Sequence, residues 1–213
     1  MFQDREDAAV RLSKKLKNVV NKNTVVIALT RGGVILGKVI GDYFSIAWGA
    51  IVVKKITAPF NSELAIGAVA PNNIVYWNEK LCKELGITKE EKLRLRERKE
   101  VERISQEIIF KKPGIPFKGK DVILVDDGVA TGATVKAASR YLKKKKAKKI
   151  LLAVPVVSKG IIRDIKTYFD TIISLSEPKD FYAVGEFYKY FPQVTNREVI
   201  NLLDTRNYTI KNL

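Results

Sequence analysis

Five short apolar runs, alternating with stretches whose apolar residues recur at helical spacing, constrain this chain more than any other feature. The runs are residues 24–29 (TVVIAL), 50–53, 121–125, 150–155 (ILLAVP) and 171–175 (TIISL). Each stops at polar, proline or glycine residues. The first ends at Thr30-Arg31-Gly32-Gly33, after which Val34, Ile35 and Ile40 resume at helical spacing. Residues 4–20 carry Ala8, Ala9, Leu12, Leu16 and Val19/Val20 on one helical face; residues 134–146 and 160–169 also read as helices. Runs too short for helices that alternate with helices predict an α/β fold: an open, mainly parallel five-stranded sheet with helices on both faces.

Residues 88–110 form the longest helical candidate. Thr88 and Glu91 make a capping box, and Leu93, Val101, Ile104 and Ile108 form an apolar stripe. Its alternating charges suit a helix that faces solvent or a partner. Pro113-Gly114 and Pro116 end it. Residues 181–191 are dense in aromatics, and Thr195 with Glu198 opens a last short helix. The expected organisation is a core over residues 1–178, a helical insertion at about 73–112 and a C-terminal hood over 179–213.

The chain has no histidine, and Cys82 is its one cysteine. That excludes an internal disulfide, Cys/His zinc sites and imidazole-based nucleophile pairs. Chemistry that works by positioning and electrostatics survives the exclusion. The net charge of +16 fits a phosphorylated small molecule or nucleic acid, or simply a solvated lysine surface. The run KKKKAKK at 143–149 suits the end of a helix, where cations meet the negative end of the dipole. Lysine, glutamate and isoleucine are plentiful, and glutamine, cysteine and methionine scarce, which suggests a heat-adapted source. No apolar run approaches a membrane span, and a cytoplasmic protein is the expectation.

Residues 122–134 read VILVDDGVATGAT. A buried strand delivers Asp126 and Asp127 at its carboxyl end. Gly128 and Gly132 sit where the backbone must bend or be approached closely. Thr131 and Thr134 flank the start of a helix, whose outward amides form an anion site. Phosphate donors beside carboxylates that accept from vicinal hydroxyls describe a pocket for ribose 5-phosphate, at the strand ends where α/β sheets bind ligands. The alternative is an ordinary strand–turn–helix in which Asp and Thr act as turn and cap residues.

That thirteen-residue run closely resembles the phosphoribosyl-pyrophosphate signature of the type I phosphoribosyltransferases. Ala28-Leu29-Thr30-Arg31-Gly32-Gly33 looks like the family's pyrophosphate loop, residues 50–70 like the start of its mobile catalytic loop, and residues 184–194 like its hood. The whole is most similar to an uncharacterised group of that superfamily. The resemblance implies transfer of phosphoribose from phosphoribosyl pyrophosphate to a nucleobase-like acceptor, with release of pyrophosphate. The 5-phosphate would rest on Gly128, Val129, Ala130, Thr131, Gly132, Ala133 and Thr134. Asp126 and Asp127 would hold the ribose hydroxyls. Thr30, Arg31, Gly32, Gly33 and Lys54 or Lys55 would meet the pyrophosphate, and Thr30–Arg31 would be a cis peptide. Magnesium would be carried mainly by the substrate's own oxygens, with no protein metal site. Arg31 as a surface residue and the lysines as solvated side chains are the plain alternatives.

The acceptor is less defined. The family's 6-oxopurine enzymes have a carboxylate at the position of Ala130 and a lysine after the fourth strand. Here those places hold alanine and Pro155-Val156-Val157, with Lys159 late, which argues against hypoxanthine and guanine. Glu63 could supply a carboxylate, and Phe181 and Tyr182 could stack on a base. A competing reading is a non-catalytic regulator that keeps the pocket and uses its basic surface on nucleic acid. A homodimer, with residues 88–110 as the contact, is expected from the family's habit. A P-loop kinase is excluded by the absence of its glycine-lysine motif, and a receiver-like domain fits poorly because Pro155 and Glu177 stand where it would need an aspartate.

Overall fold

The computed structural model describes residues 1–111 and 115–210, with side chains to residue 205. Lys112, Pro113 and Gly114, to which part of the expected helix stop was assigned, lie outside the described residues, as does the end of the hood.

The chain runs α1 (Arg5–Leu16), β1 (Thr24–Leu29), α2 (Gly33–Phe44), β2 (Trp48–Ile51), β3 (Lys54–Ala58), β4 (Asn61–Ala70), β5 (Ile74–Trp77), α3 (Glu79–Glu84), α4 (Lys89–Ile109), β6 (Asp121–Val125), α5 (Ala133–Lys144), β7 (Lys149–Val156), α6 (Ile162–Lys166), β8 (Thr171–Ser176) and α7 (Asn196–Ile210). Five strands form one sheet in the order β2-β1-β6-β7-β8, every pair parallel. This is the sheet the apolar runs predict.

Alternate residues of each strand feed opposite faces, as the pleat requires. Val25, Ile27 and Leu124 pack with Ala137, Leu142 and Ile165 of α5 and α6. Val26, Ala28, Ile123 and Val125 pack with Leu12 and Leu16 of α1, Leu36 and Ile40 of α2, and Val199 of α7. Strand order reverses between β1 and β6, so the loops after these two strands diverge and leave a crevice between them.

Several details differ from expectation. Residues 54–77 are not a loop leading into a helical insertion. They form an antiparallel three-stranded sheet, β3-β4-β5, joined to α3 through Ile56, Ile66, Val69 and Cys82. The insertion therefore opens with a strand, because Ile74–Trp77 pairs with Gly67–Ala70. The helix expected at 160–169 is a 3-10 turn at Lys159–Ile161 followed by the five-residue α6, and the last helix runs fifteen residues. The capping box at Thr88/Glu91 forms as predicted. The stripe Leu93, Val101, Ile104 and Ile108 is exposed, while Arg103 and Gln106 are buried. The inward face of α4 thus combines Leu95, packed beside Ile56 and Cys82, with polar Arg103 and Gln106, and Arg103 is neutralised within the helix by Glu100 and Glu107. No helix among the described residues is long and apolar enough to cross a membrane.

Candidate functional site

The loops after β1 and β6 meet at the switch in strand order. After β6 the chain forms Asp126–Gly132 and enters α5, with Gly132 as N-cap at φ 75°, a left-handed conformation that favours glycine. A side chain there would also press on Ile165. The turn is held from behind: Val129 N donates to Val156 O at 2.9 Å, and Ser158 N donates to Val129 O at 3.0 Å. The amides of Ala130, Thr131, Gly132, Ala133 and Thr134 donate to no acceptor among the described residues, and no side chain caps the helix. Five unspent donors at the positive end of a twelve-residue helix form an anion cradle.

The cradle faces a cavity of about 500 Å³. Thr30, Lys55, Glu63, Gly128, Val129, Ala130, Thr131, Gly132, Thr134 and Tyr182, all singled out in the sequence, line it together with Val53, Ala183 and Val184. Tyr182 is 85% exposed at its rim. A second cavity, of about 670 Å³, lies on the other side of Thr30 and Val53 and holds Arg31 and Lys54. α4 contributes Glu102, Ser105 and Gln106 to it, and the start of α7 contributes Asn196. Thr30 Oγ1 and Asn196 Oδ1 are buried there without a protein partner. Burial lowers the Lys54 ammonium from its usual range; Glu102 opposes this, while Arg31 and Lys99 add to it. An anion in this cavity would reverse that balance and satisfy the idle hydroxyl. The Thr30–Arg31 peptide is cis, as the resemblance implies.

The remaining residues of the predicted site border neither cavity. Ala133 is buried in the core. Phe181 packs on Phe187, with ring centroids 5.0 Å apart, inside an aromatic cluster with Val184 and Phe191. That placement separates it from Tyr182, with which it was paired as a stacking candidate. Gly32 and Gly33 lie against the acidic pair. A Cβ on Gly32 would sit 1.8 Å from Asp127 Oδ2, and one on Gly33 would sit 2.8 Å from Val125 O. Glycine at both positions is thus a packing requirement of the neighbouring loop.

The acidic pair is held by residues that the sequence did not single out. Arg5 Nε donates to Asp127 Oδ2 at 2.8 Å, and the two side chains are 7% and 16% exposed. Arg5 also donates to Pro192 O at 2.9 Å and lies 3.6 Å from the Phe191 ring centroid. Tyr188 Oη donates to Asp127 O at 2.6 Å. The first helix, the acidic turn and the hood are thus tied at one point. Burial, and then the charge of Asp127, push the Asp126 carboxyl well above the usual carboxylate range. Burial raises Asp127 as well, against the pull of Arg5. The one sequence signal for Arg5 was its place on the stripe 5-8-9-12-16, where α1 otherwise buries apolar residues or alanine. Gln106 and Asn196 gave no signal.

No three His, Cys, Asp or Glu side chains gather as a metal-binding cluster among the described residues. The second cavity's hydroxyl, amide and carboxylate oxygens, from Thr30, Ser105, Gln106, Asn196 and Glu102, are donors of the kind that suits a hard cation.

The comparisons with known proteins agree with this architecture. A protein of solved structure from Thermus thermophilus is 30% identical and superposes with a TM-score of 0.79, covering 95% of this chain and 97% of the other. A Mycobacterium tuberculosis protein named as a phosphoribosyl transferase is 32% identical over 206 residues, 96% of this chain and 46% of its own. The chain thus spans about half the length of the curated relatives it matches. The adenine phosphoribosyltransferase of Giardia lamblia, solved with 9-deazaadenine, shares the fold at a TM-score of 0.50 and 13% identity, over 83% of this chain and 80% of its own. The sequence profile of the phosphoribosyl transferase domain matches residues 2–190, and the chain belongs to that family.

Proposed function

We propose that the protein transfers phosphoribose from phosphoribosyl pyrophosphate to a nucleobase-like acceptor and releases pyrophosphate. The observation that carries this reading is the row of five unspent amides from Ala130 to Thr134, opening on a cavity whose far wall leads to a second, cationic one. The amides and the hydroxyls of Thr131 and Thr134 would take the 5-phosphate. Arg31 and Lys54 would take the pyrophosphate on the far side of Thr30 and Val53, and Lys55 would approach from the first cavity. The ribose would then bridge the two cavities, with Asp126 and Asp127 accepting from its hydroxyls. In this arrangement Asp127 must share its carboxylate between Arg5 and the sugar.

The chemistry suits a chain without histidine. As pyrophosphate leaves, positive charge grows at C1 and negative charge on the departing oxygen. Fixed cations act on the second, and exclusion of water protects the first. Magnesium, held mainly by the diphosphate and water with Thr30, Ser105 and Glu102 nearby, would supply further neutralisation of the leaving group. Gln106 and Ser105 of α4 and Asn196 of α7, which line the second cavity, would donate to that group. Ala130 leaves the acceptor's edge without the carboxylate seen in 6-oxopurine enzymes, and Tyr182 offers an exposed ring for stacking. Glu63, the one carboxylate among the described residues lining this cavity, would take a proton from the acceptor. The exposed stripe on α4 is the surface we assign to a homodimer contact.

Incubation with phosphoribosyl pyrophosphate, magnesium and a panel of bases should release pyrophosphate with one base and yield its nucleotide. Tight binding of phosphoribosyl pyrophosphate with no turnover on any base would instead assign the chain to the non-catalytic regulators.

A further inference from the structure

The opposite end of the central sheet carries a feature that the proposed transfer does not use. The turns before β1, β6 and β7 lie side by side there, because Thr24, Asp121 and Lys149 are register partners. Hydrogen bonds join them. Asp121 N donates to Asn23 O (3.1 Å), Gly119 N to Lys146 O (2.8 Å), and Lys148 N to Lys120 O (2.8 Å). Lysines far apart in sequence are brought together by this packing: Lys22, Lys118, Lys120, Lys145, Lys146 and Lys148. All but Lys120, which is half-buried, are exposed, and among the described residues none forms an ion pair. Parallel neighbours lie about 4.8 Å apart. The three turns therefore sit within about one Debye length of each other at physiological salt, and their charges repel.

A merely solvated surface would intersperse signs. α4 does so: Lys92, Arg98 and Lys99 each have an acidic partner. The helix dipole accounts for lysines in the last turn of α5, but not for those before β1 and β6. Lys146 even occupies a left-handed position, at φ 62°, just past the helix end, where glycine is the usual residue. Two acids, Asp121 and Asp170, line a cavity of about 280 Å³ beside these lysines, and neither pairs with a lysine among the described residues. Asp121 Oδ2 accepts from Asn21 Nδ2 (3.1 Å), and Asp170 Oδ2 accepts from Ile150 N (2.7 Å).

We propose that this lysine face is a separate binding surface that takes the phosphodiester backbone of a nucleic acid. A membrane surface fits less well. Interfacial binding needs apolar anchors beside the cations, and among the described residues of these three turns Val19 is the one large apolar side chain that is exposed. A cluster of closely spaced cations suits contacts that position a backbone without specifying sequence.

The test measures binding of a fluorescent single-stranded RNA, a duplex DNA and anionic phosphatidylserine vesicles across a salt series. A surface that neutralises three phosphates of a duplex loses roughly fortyfold in affinity for a fourfold rise in salt. The variant Lys120→Glu/Lys146→Glu/Lys148→Glu should lose at least about tenfold in affinity and flatten the salt slope by about three. Lys83→Glu/Lys89→Glu/Arg94→Glu makes the same charge change around α3 and α4 and should keep both; glutamine versions of each set guard against misfolding. Loss from the first set with retention by the second, on either polymer, supports the proposal, and the tighter polymer identifies the source of the backbone. Equal loss from both sets, no binding of either polymer at low salt, or binding of vesicles alone overturns it. Each readout is independent of phosphoribosyl pyrophosphate.

Discussion

The two ends of the central sheet treat charge in opposite ways. At the carboxyl ends of the strands, Asp126, Asp127 and Arg5 are withdrawn from water and held by named partners, and Gly32 and Gly33 are glycine because those partners leave no room. At the amino ends, lysines are crowded, exposed and, among the described residues, unpaired. The first arrangement costs stability and gains geometry, because a buried ion pair survives only if its partners are fixed. The second costs little to fold, since its charges stay in water, and it gains a long-range field. Substitutions should therefore damage stability and small-ligand binding at one end and polyanion binding alone at the other.

The largest effect should come from Gly32→Ala. Its Cβ would collide with Asp127 Oδ2 and drive that carboxylate off Arg5. We expect roughly a hundredfold loss of ribose 5-phosphate affinity by calorimetry, about 3 kcal/mol of lost stability from the broken pair, and unchanged nucleic-acid binding. Retention of sugar-phosphate affinity would show that the acidic turn is not part of the site.

Arg5→Ala should cost about 3 kcal/mol in urea unfolding, because it leaves Asp127 buried without its cation. Arg5→Lys should recover part of this. Equal stability of the alanine variant would mean that the pair contributes nothing net. The same contact complicates substitution of Asp127. Asp127→Asn would strand Arg5 as well as weaken the sugar contact, so Asp126→Asn is the cleaner probe of hydroxyl binding.

Asp126 provides the pH test. Its folded-state carboxyl titrates well above the ordinary value of 3.8, so the folded protein holds that proton to higher pH than the unfolded chain does. Stability from this group is therefore present at low pH and lost as pH rises through the raised value. Sugar binding should run the other way, since the charged carboxylate is the stronger acceptor. Asp126→Asn should flatten both trends; wild-type stability that rises with pH across that window, in a way the variant lacks, would contradict the assignment. The smallest effect is reserved for the lysine face: the Lys120→Glu/Lys146→Glu/Lys148→Glu variant should change unfolding free energy by less than about 0.5 kcal/mol, in either direction. A much larger change would mean that the cluster is structural.

The same contrast explains what could be read from residues alone. Four of the five parallel strands are buried almost throughout, so each is a near-continuous apolar run visible without knowing its neighbours, and half-buried β8 still shows Ile172, Ile173 and Leu175. The anion cradle was legible because its glycines, hydroxyls and helix start are contiguous from Gly128 to Thr134. The three-stranded sheet was not. Lys54–Ala58 is largely polar, and much of β4 is built from Gly67 and alanines, so neither shows a strong period. Arg5 and Asp127 stand 122 positions apart, and the only local sign was a cation on an apolar stripe. α4 misled in the opposite direction, since the stripe Leu93, Val101, Ile104 and Ile108 is exposed while polar Arg103 and Gln106 are buried. The lysine face needed the register of β1, β6 and β7 before its residues became neighbours.

Everything at the carboxyl end rests on whether the amides of the β6–α5 turn receive a phosphate. Titration of ribose 5-phosphate into nitrogen-labelled protein, followed by amide resonances, measures this directly. The expected result is that Ala130, Thr131, Gly132, Ala133 and Thr134 shift together and saturably, with Gly32 and Asp127 following. Resonances of that turn that stay fixed while others saturate would contradict it.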